Sequence, residues 1–321
     1  MKEQITSQVP VYSSTIKNLS IQDFTEAFGE TLTPYVQRKI EDANFQYQNL
    51  TAAETEENYK KIVEILLHAN LEKAGEHRLS IWEKGWGENL DCISKEEIME
   101  ALVPKYFNKF SIVRWRQQFI RPISKQFEYK MLAVLQDWLF DKYLRDKSAV
   151  YEFGCGTGHN LFRARNVNPK AELWGLDWAT SSQEILNQLR KSGVDKNIFG
   201  HRFNYFEPDT NFHIKSNSAV VTVASLEQIG EKTDAFIQYL LDEKPELCIH
   251  IEPIHELLDK NNFMDFLSVE YFKKRNYLWN FLTRLQNFEN AGKLDILKTQ
   301  RSYIGSFFIE GYSVIVWKPK A

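Results

Sequence analysis

Several kinds of chemistry are excluded by what this sequence lacks. Only three cysteines occur, Cys92, Cys155 and Cys248. They lie far apart, so neither a disulfide framework nor the paired spacing of a zinc site is available. No stretch approaches the roughly 20 apolar residues of a membrane-spanning helix, and residues 1–14 carry no apolar signal segment. A cytoplasmic protein with no membrane contact is the default expectation. Basic residues form no long run and the formal net charge is -3. The clustered Lys and Arg that displace counterions from nucleic acid are missing, so no nucleic-acid partner is expected. There is no internal repeat and no low-complexity tract.

The 321 residues suffice for one large domain or two ordinary ones. Hydrophobic residues at 43% and charged residues at 26% allow a normal core. Aromatics at 14% run high; a thick core or an aromatic-lined cavity would each account for them.

The chain changes character near residue 147. Before it, Tyr59, Ile62, Val63, Leu66, Leu67 and Leu71 recur at helical spacing over 58–74, and Phe127, Met131, Leu132, Leu135, Trp138 and Leu139 do so over 125–144. Between them, Gly85, Gly87, Asn89 and Pro104 read as loop signals. After residue 147, apolar runs at 149–153, 171–177, 199–206, 219–224 and 247–252 alternate with helical patterns. One of these patterns, 181–191, opens with Ser181 and Glu184 as a capping box. The stretch 262–288 reads as mostly helix, and two late strands fall near 295–301 and 311–317. Strand–helix alternation predicts an α/β fold with a doubly wound sheet, here preceded by a helical N-terminal region.

Gly154, Gly156 and Gly158 follow the first of these strands and precede a helix. Glycines there let a ligand approach the backbone, and the helix start adds unpaired N–H donors. The third glycine comes one residue too early for a dinucleotide fingerprint, where His159 stands instead, and no Gly-Lys-Ser/Thr ending marks a P-loop. The next strand ends at Asp177, roughly 20 residues on, where an acidic side chain accepts hydrogen bonds from ribose hydroxyls. A helix-capping role is open to Asp177 at the same time. Trp178 follows, with a ring suited to pack on a base.

The run Glu152-Phe153-Gly154-Cys155-Gly156-Thr157-Gly158 resembles the first motif of class I S-adenosylmethionine-dependent methyltransferases, and the resemblance covers about residues 149–319. It implies a Rossmann-like methyltransferase sheet and S-adenosylmethionine as cofactor, with Glu152, Gly154, Cys155, Gly156 and Gly158 in the binding loop. It further implies adenine contacts at Asn204 and Tyr205, with Asn where the family often carries an acidic residue, and it sets Ser225 beside the methionine part of the cofactor.

Methyl transfer calls for alignment and, for a hydroxyl or protonated amine, a base. Groups at strand ends qualify because the crevice of an open α/β sheet lies there. Glu227, Glu252 and His255 are the candidates; a capping role for Glu252 and a surface role for His255 compete. No His-Glu-x-x-His run and no carboxylate pair near residue 225 occur, so no metal is expected. Within 106–116 basic and aromatic residues alternate. Arg116 would hold the cofactor carboxylate, with Tyr106 and Arg114 facing the acceptor; an exposed helix edge is the competing picture. Tyr271 belongs to an aromatic stripe that would wall the acceptor pocket or fill core.

These readings divide the chain into residues 1–145, covering the cleft and recognising the acceptor, and residues 146–321, binding the cofactor. The function expected is metal-independent methyl transfer to N or O of a small molecule or natural-product precursor. Transfer to a side chain of a peptide or protein is the alternative, and a non-catalytic binding protein on the same fold is the third.

Overall fold

A computed structural model describes residues 15–93, 98–107 and 109–320; the segment 1–14, read above for a signal, lies outside them. Strand β1 (Lys17–Asn18), helices α1 (Ile21–Phe28) and α2 (Pro34–Ala43), strand β2 (Gln46–Asn49) and helix α3 (Ala52–His68) come first. Helices α4 (Leu79–Cys92) and α5 (Ile98–Ala101), strands β3 (Val113–Trp115) and β4 (Gln118–Pro122) and helix α6 (Phe127–Tyr143) follow. The alternating part runs β5 (Ala149–Phe153), α7 (His159–Val167), β6 (Glu172–Asp177), α8 (Thr180–Lys191), β7 (Ile198–Arg202), β8 (Ser218–Val223), α9 (Asp234–Glu243) and β9 (Leu247–Glu252). Helices α10 (Phe263–Arg275) and α11 (Phe281–Asn290) lead to β10 (Leu294–Gln300), β11 (Ile304–Gly305) and β12 (Ser313–Pro319).

Seven strands form one sheet in the order β10-β12-β9-β8-β5-β6-β7. The five from β9 to β7 are parallel, and β12 runs antiparallel to both its neighbours. This is the doubly wound α/β sheet that the alternation predicts. Strands β5, β8 and β9 are buried along their whole length, as near-continuous apolar runs require when helices cover both faces. From β5 the chain winds outward through β6 and β7, then returns to start β8 on the other side of β5. The ends of β5 and β8 therefore meet at the point where strand order reverses, the place where such sheets bind ligands.

The N-terminal region is not purely helical. Strands β1 to β4 join β11 in a second, antiparallel sheet of order β1-β2-β4-β3-β11. These strands are two to five residues long, too short to register as alternation. A single apolar core takes in Phe24, Val36 and Trp138 together with Val150, Leu173 and Ile249, so it runs across the expected boundary at 145/146.

Three helix starts differ from expectation for identifiable reasons. Helix α3 begins earlier than 58 because Thr51 and Glu54 form a capping box, and it stops at His68. Helix α4 occupies a stretch that its glycines make look like loop. At α8 the box of Ser181 with Glu184 does not form. The N–H groups of Thr180 and Ser181 donate instead to the two carboxylate oxygens of Glu83 on α4, each at 2.7 Å.

Candidate functional site

A cavity of about 580 Å³ lies over the meeting point of β5 and β8. Its floor is the glycine loop with Asp177, Trp178, Tyr205 and Ser225; its walls come from α4, residues 104–106 and 109–110, α10 and the 306–312 segment. That volume is within the range of small-ligand sites.

The loop is tight because of what surrounds it. Gly154 has φ +68, and a Cβ there would fall 2.4 Å from that of Ser225. Gly156 has φ +54, and its Cβ would meet the Trp86 ring at 2.7 Å. Backbone conformation and crowding both demand glycine at these positions. Asp177 holds the loop from the side: one carboxylate oxygen accepts from the N–H of Gly156 and the other from that of Ala179, each at 2.9 Å. The bond to Ala179 lies just ahead of α8, whose first N–H groups are taken by Glu83 instead, and the Asp177 carboxyl, buried at the cavity floor, is pushed up to about 6. Each oxygen keeps a second lone pair for a ligand hydroxyl.

Glu152 does not reach the cavity. It is buried behind the loop, where Asn160 Nδ2 donates to it at 2.6 Å and Gln136 in turn donates to Asn160 at 2.7 Å. Burial raises its carboxyl to about 8. Gly158 stands outside the cavity, at the left-handed start of α7. Cys155 does line the cavity, with a buried side chain. Tyr205 lines it too, its hydroxyl 2.9 Å from Ser225 Oγ. Asn204 does not; β7 ends at Arg202, and the Asn204 carboxamide turns back to accept from the N–H of Phe206 at 3.1 Å.

Of the three candidate catalytic residues, Glu227 alone lines the cavity. Ala224, at φ 46, turns the chain off the end of β8 into a 3-10 turn at Leu226–Ile229, which carries Glu227 and Gln228. Burial in the wall raises the Glu227 carboxyl to about 7, and the Gln228 amide donates to it at 2.9 Å. Glu252 is fully buried beneath this turn. Its Oε1 accepts from the N–H groups of Ser225 and Leu226 at 3.1 and 3.2 Å, and burial pushes the carboxyl up to about 8. It acts as the cap of the turn. His255 stacks on Trp279 with ring centroids 3.7 Å apart and accepts from the N–H of Asn280 at 3.1 Å. Burial lowers its pKa, and it stands away from the cavity.

The basic candidates of the N-terminal region are placed elsewhere. Arg116 sits at φ 48 in the hairpin between β3 and β4, paired with Glu26 at 2.7 Å and half exposed. Arg114 is buried and donates to the carbonyls of Met264, Phe307 and Phe308 and to Ser268, tying β3 to α10 and the 306–312 segment. Neither lines the cavity. Tyr106 and Tyr271 do, and Tyr271 stacks on Phe308 at 4.8 Å.

Much of the wall comes from residues that motif reasoning passed over. Trp82 and Trp86, stacked at 5.3 Å on one face of α4, close the cavity above the glycine loop. Their spacing of four is a helical signal, masked by Gly85 and Gly87. His159, the residue that breaks the dinucleotide fingerprint, faces the cavity. Thr157 spends its hydroxyl proton on the carbonyl of Leu102 at 2.6 Å. The 3.2 Å contact to His159 Nδ1 then requires the proton on Nδ1. That leaves His159 Nε2 a buried acceptor without a partner, and burial holds the ring neutral, its pKa down to about 3. Arg78, Glu128, Gln228, Arg275, Tyr277 and Tyr312 are among the other polar residues of the lining. Among the described residues no group of three His, Cys, Asp or Glu is placed to hold a metal ion.

No protein-family model matches the chain, and no curated protein matches it in sequence. Solved structures similar to it include a magnesium protoporphyrin IX methyltransferase from Synechocystis with bound S-adenosylhomocysteine, at 12% identity and TM-score 0.44, over 60% of this chain and 83% of that one. The [4+2]-cyclase SpnF aligns over 74% of this chain and 96% of its own, at 12% identity and TM-score 0.47. An O-methyltransferase family protein from Burkholderia thailandensis aligns over 92% of this chain and 76% of its own, at 12% identity and TM-score 0.45.

Proposed function

We propose that the chain is an S-adenosylmethionine-dependent methyltransferase that acts, without a metal ion, on N or O of a small molecule. The observation that carries this reading is the convergence of Gly154, Asp177 and Glu227 on one cavity. The residues present fit the cofactor. Asp177 has lone pairs left for ribose hydroxyls, Trp178 lies beside it for the base, and the unpartnered His159 Nε2 accepts from an ammonium group. S-adenosylmethionine brings a methyl group already activated on a positively charged sulfur.

The chain's own work is then alignment, exclusion of water and disposal of a proton. Positioning of this kind lowers a barrier by as much as about 7–11 kcal/mol. Trp82 and Trp86 keep water off the loop side. Glu227 takes the proton that the acceptor's N–H or O–H releases, and its pKa, raised to about 7, suits that exchange near neutrality. Glu252 holds the turn that aims Glu227. A cavity of about 580 Å³ favours a small acceptor over a polymer.

The test is transfer of isotope-labelled methyl from the cofactor into a host extract, with and without a chelator, followed by mass spectrometry. A small-molecule product that forms equally in both is expected. Label confined to protein supports the peptide alternative, label lost with chelator contradicts metal independence, and no label anywhere contradicts catalysis.

A further inference from the structure

One end of the cavity collects polar groups that the glycine loop does not use. Arg78 precedes α4, Glu227 and Gln228 follow β8, Tyr271 and Arg275 end α10, and Tyr277 comes just after it. Arg78 is nine-tenths buried and donates through Nη1 to Gln228 Oε1 at 2.5 Å. Its Nε has no hydrogen-bond partner, and its nearest carboxylate, the half-exposed Glu72, lies 3.8 Å away. Arg275 lies over the rings of Tyr271 and Tyr277, 6.0 and 5.1 Å from their centroids. Its Nε also lacks a hydrogen-bond partner, and among the described residues it forms no ion pair. Glu227 is bonded to Gln228 and to neither arginine.

Two guanidiniums and a carboxylate thus face one cavity without hydrogen-bonding to each other. A guanidinium N–H withdrawn from water and left without an acceptor is costly, and the planar fork of the group matches the oxygens of a carboxylate or phosphate. Glu72 and Glu227 offset the charge of the two guanidiniums, but Arg78 Nε and Arg275 Nε remain donors without an acceptor at this end of the cavity. Tyrosine hydroxyls add neutral donors around it.

Resting on the methyl-transfer reading, we propose that the acceptor carries an oxyanion, a carboxylate or a phosphate, seated between Arg78 and Arg275, with its nucleophilic N–H or O–H turned toward Glu227. The arginines recognise the acceptor by a group that does not react, and Glu227 faces the one that does. Neutral compounds of the same shape leave both Nε donors without a charged acceptor and are rejected.

Calorimetric titration of the full chain with benzoate, phenyl phosphate and benzyl alcohol tests this, with and without saturating S-adenosylhomocysteine. At least one of the two anions is expected to bind, the tighter one identifying the oxyanion, and benzyl alcohol to bind at least tenfold more weakly. Arg275→Met should raise the anion's Kd at least tenfold and leave that of S-adenosylhomocysteine unchanged. Arg78→Met is the second variant should the first fail to fold. Failure of both anions to bind, equal binding of benzyl alcohol, or an anion Kd unmoved by the folded variant would overturn the proposal. If S-adenosylhomocysteine does not bind, the methyl-transfer reading falls, and the anion titrations of the cofactor-free protein still decide the oxyanion seat.

Discussion

Glu83 and Ser181 hold each other twice: the Ser181 N–H donates to the Glu83 carboxylate at 2.7 Å, and the Ser181 hydroxyl donates to the Glu83 carbonyl at 3.1 Å. This clasp fixes α4, and with it Trp82 and Trp86, against the start of α8. Glu83→Ala should cost about 1 kcal/mol, the scale for losing a helix cap. It should also weaken cofactor binding, because the wall above Gly156 loosens. Chemical denaturation and calorimetry on the same variant check both; unchanged cofactor affinity in a destabilised variant would separate α4 from the site.

Gly85 and Gly87 both sit inside α4, and a Cβ at either meets nothing within 4 Å. Packing therefore demands neither, and each weakens the helix by about 1 kcal/mol relative to Ala. Only Gly85 lines the cavity. Gly87→Ala is expected to stabilise the protein and leave ligand binding alone. Gly85→Leu is expected to weaken cofactor or acceptor binding by filling the space that Gly85 leaves open. Thermal unfolding with paired calorimetry checks this, and equal binding by both variants would contradict it.

The same helix shows where the sequence stops being legible. Long apolar runs such as β8 and β9, buried on both faces, announce themselves, and the glycine spacing marks the loop that follows β5. Helix α4 is disguised by two glycines that packing does not require. Strands β1 to β4 are too short for a period. The cavity's guanidiniums arrive by tertiary folding: of the basic–aromatic run at 106–116, Lys109 lines the cavity, while Arg114 is consumed by four hydrogen bonds to α10 and the 307–308 backbone and Arg116 by Glu26. Arg78 and Arg275 lie nearly 200 residues apart and meet only at the cavity. Among strand-end carboxylates, nothing local distinguishes Glu227, which reaches the ligand space, from Glu252, which turns inward beneath it.

Glu227 accepts a proton only when ionised, and burial raises its pKa to about 7. Activity should therefore rise as pH passes through about 7 and level off above it. Glu227→Gln should lower kcat by roughly 10²–10⁴-fold, the scale of general base catalysis, and abolish that rise. A pH–rate profile of wild type and variant checks it; a rise that survives in Glu227→Gln assigns the base elsewhere.

Glu252 has its folded-state pKa raised to about 8 from 4.5. Between those values the folded protein keeps a proton that the unfolded chain releases, so its contribution to stability is complete below about 4.5 and is lost as pH rises toward 8. Each such proton changes stability by about 1.4 kcal/mol per pH unit. Glu252→Gln keeps an acceptor for Ser225 and Leu226 and should flatten the decline between pH 5 and 8; Glu252→Ala should destabilise the turn at every pH. Denaturation midpoints across that range check both, and an unchanged slope in Glu252→Gln would contradict the assignment.

The central claim is that the cavity over β5 and β8 is a seat for S-adenosylmethionine, and calorimetric titration with S-adenosylhomocysteine tests it most directly. Saturable binding of one equivalent is expected, weakened by about 1–3 kcal/mol in Asp177→Ala, which loses a charged acceptor, with no heat from NAD. Tight binding of NAD with none of S-adenosylhomocysteine, or S-adenosylhomocysteine binding indifferent to Asp177→Ala, would contradict it.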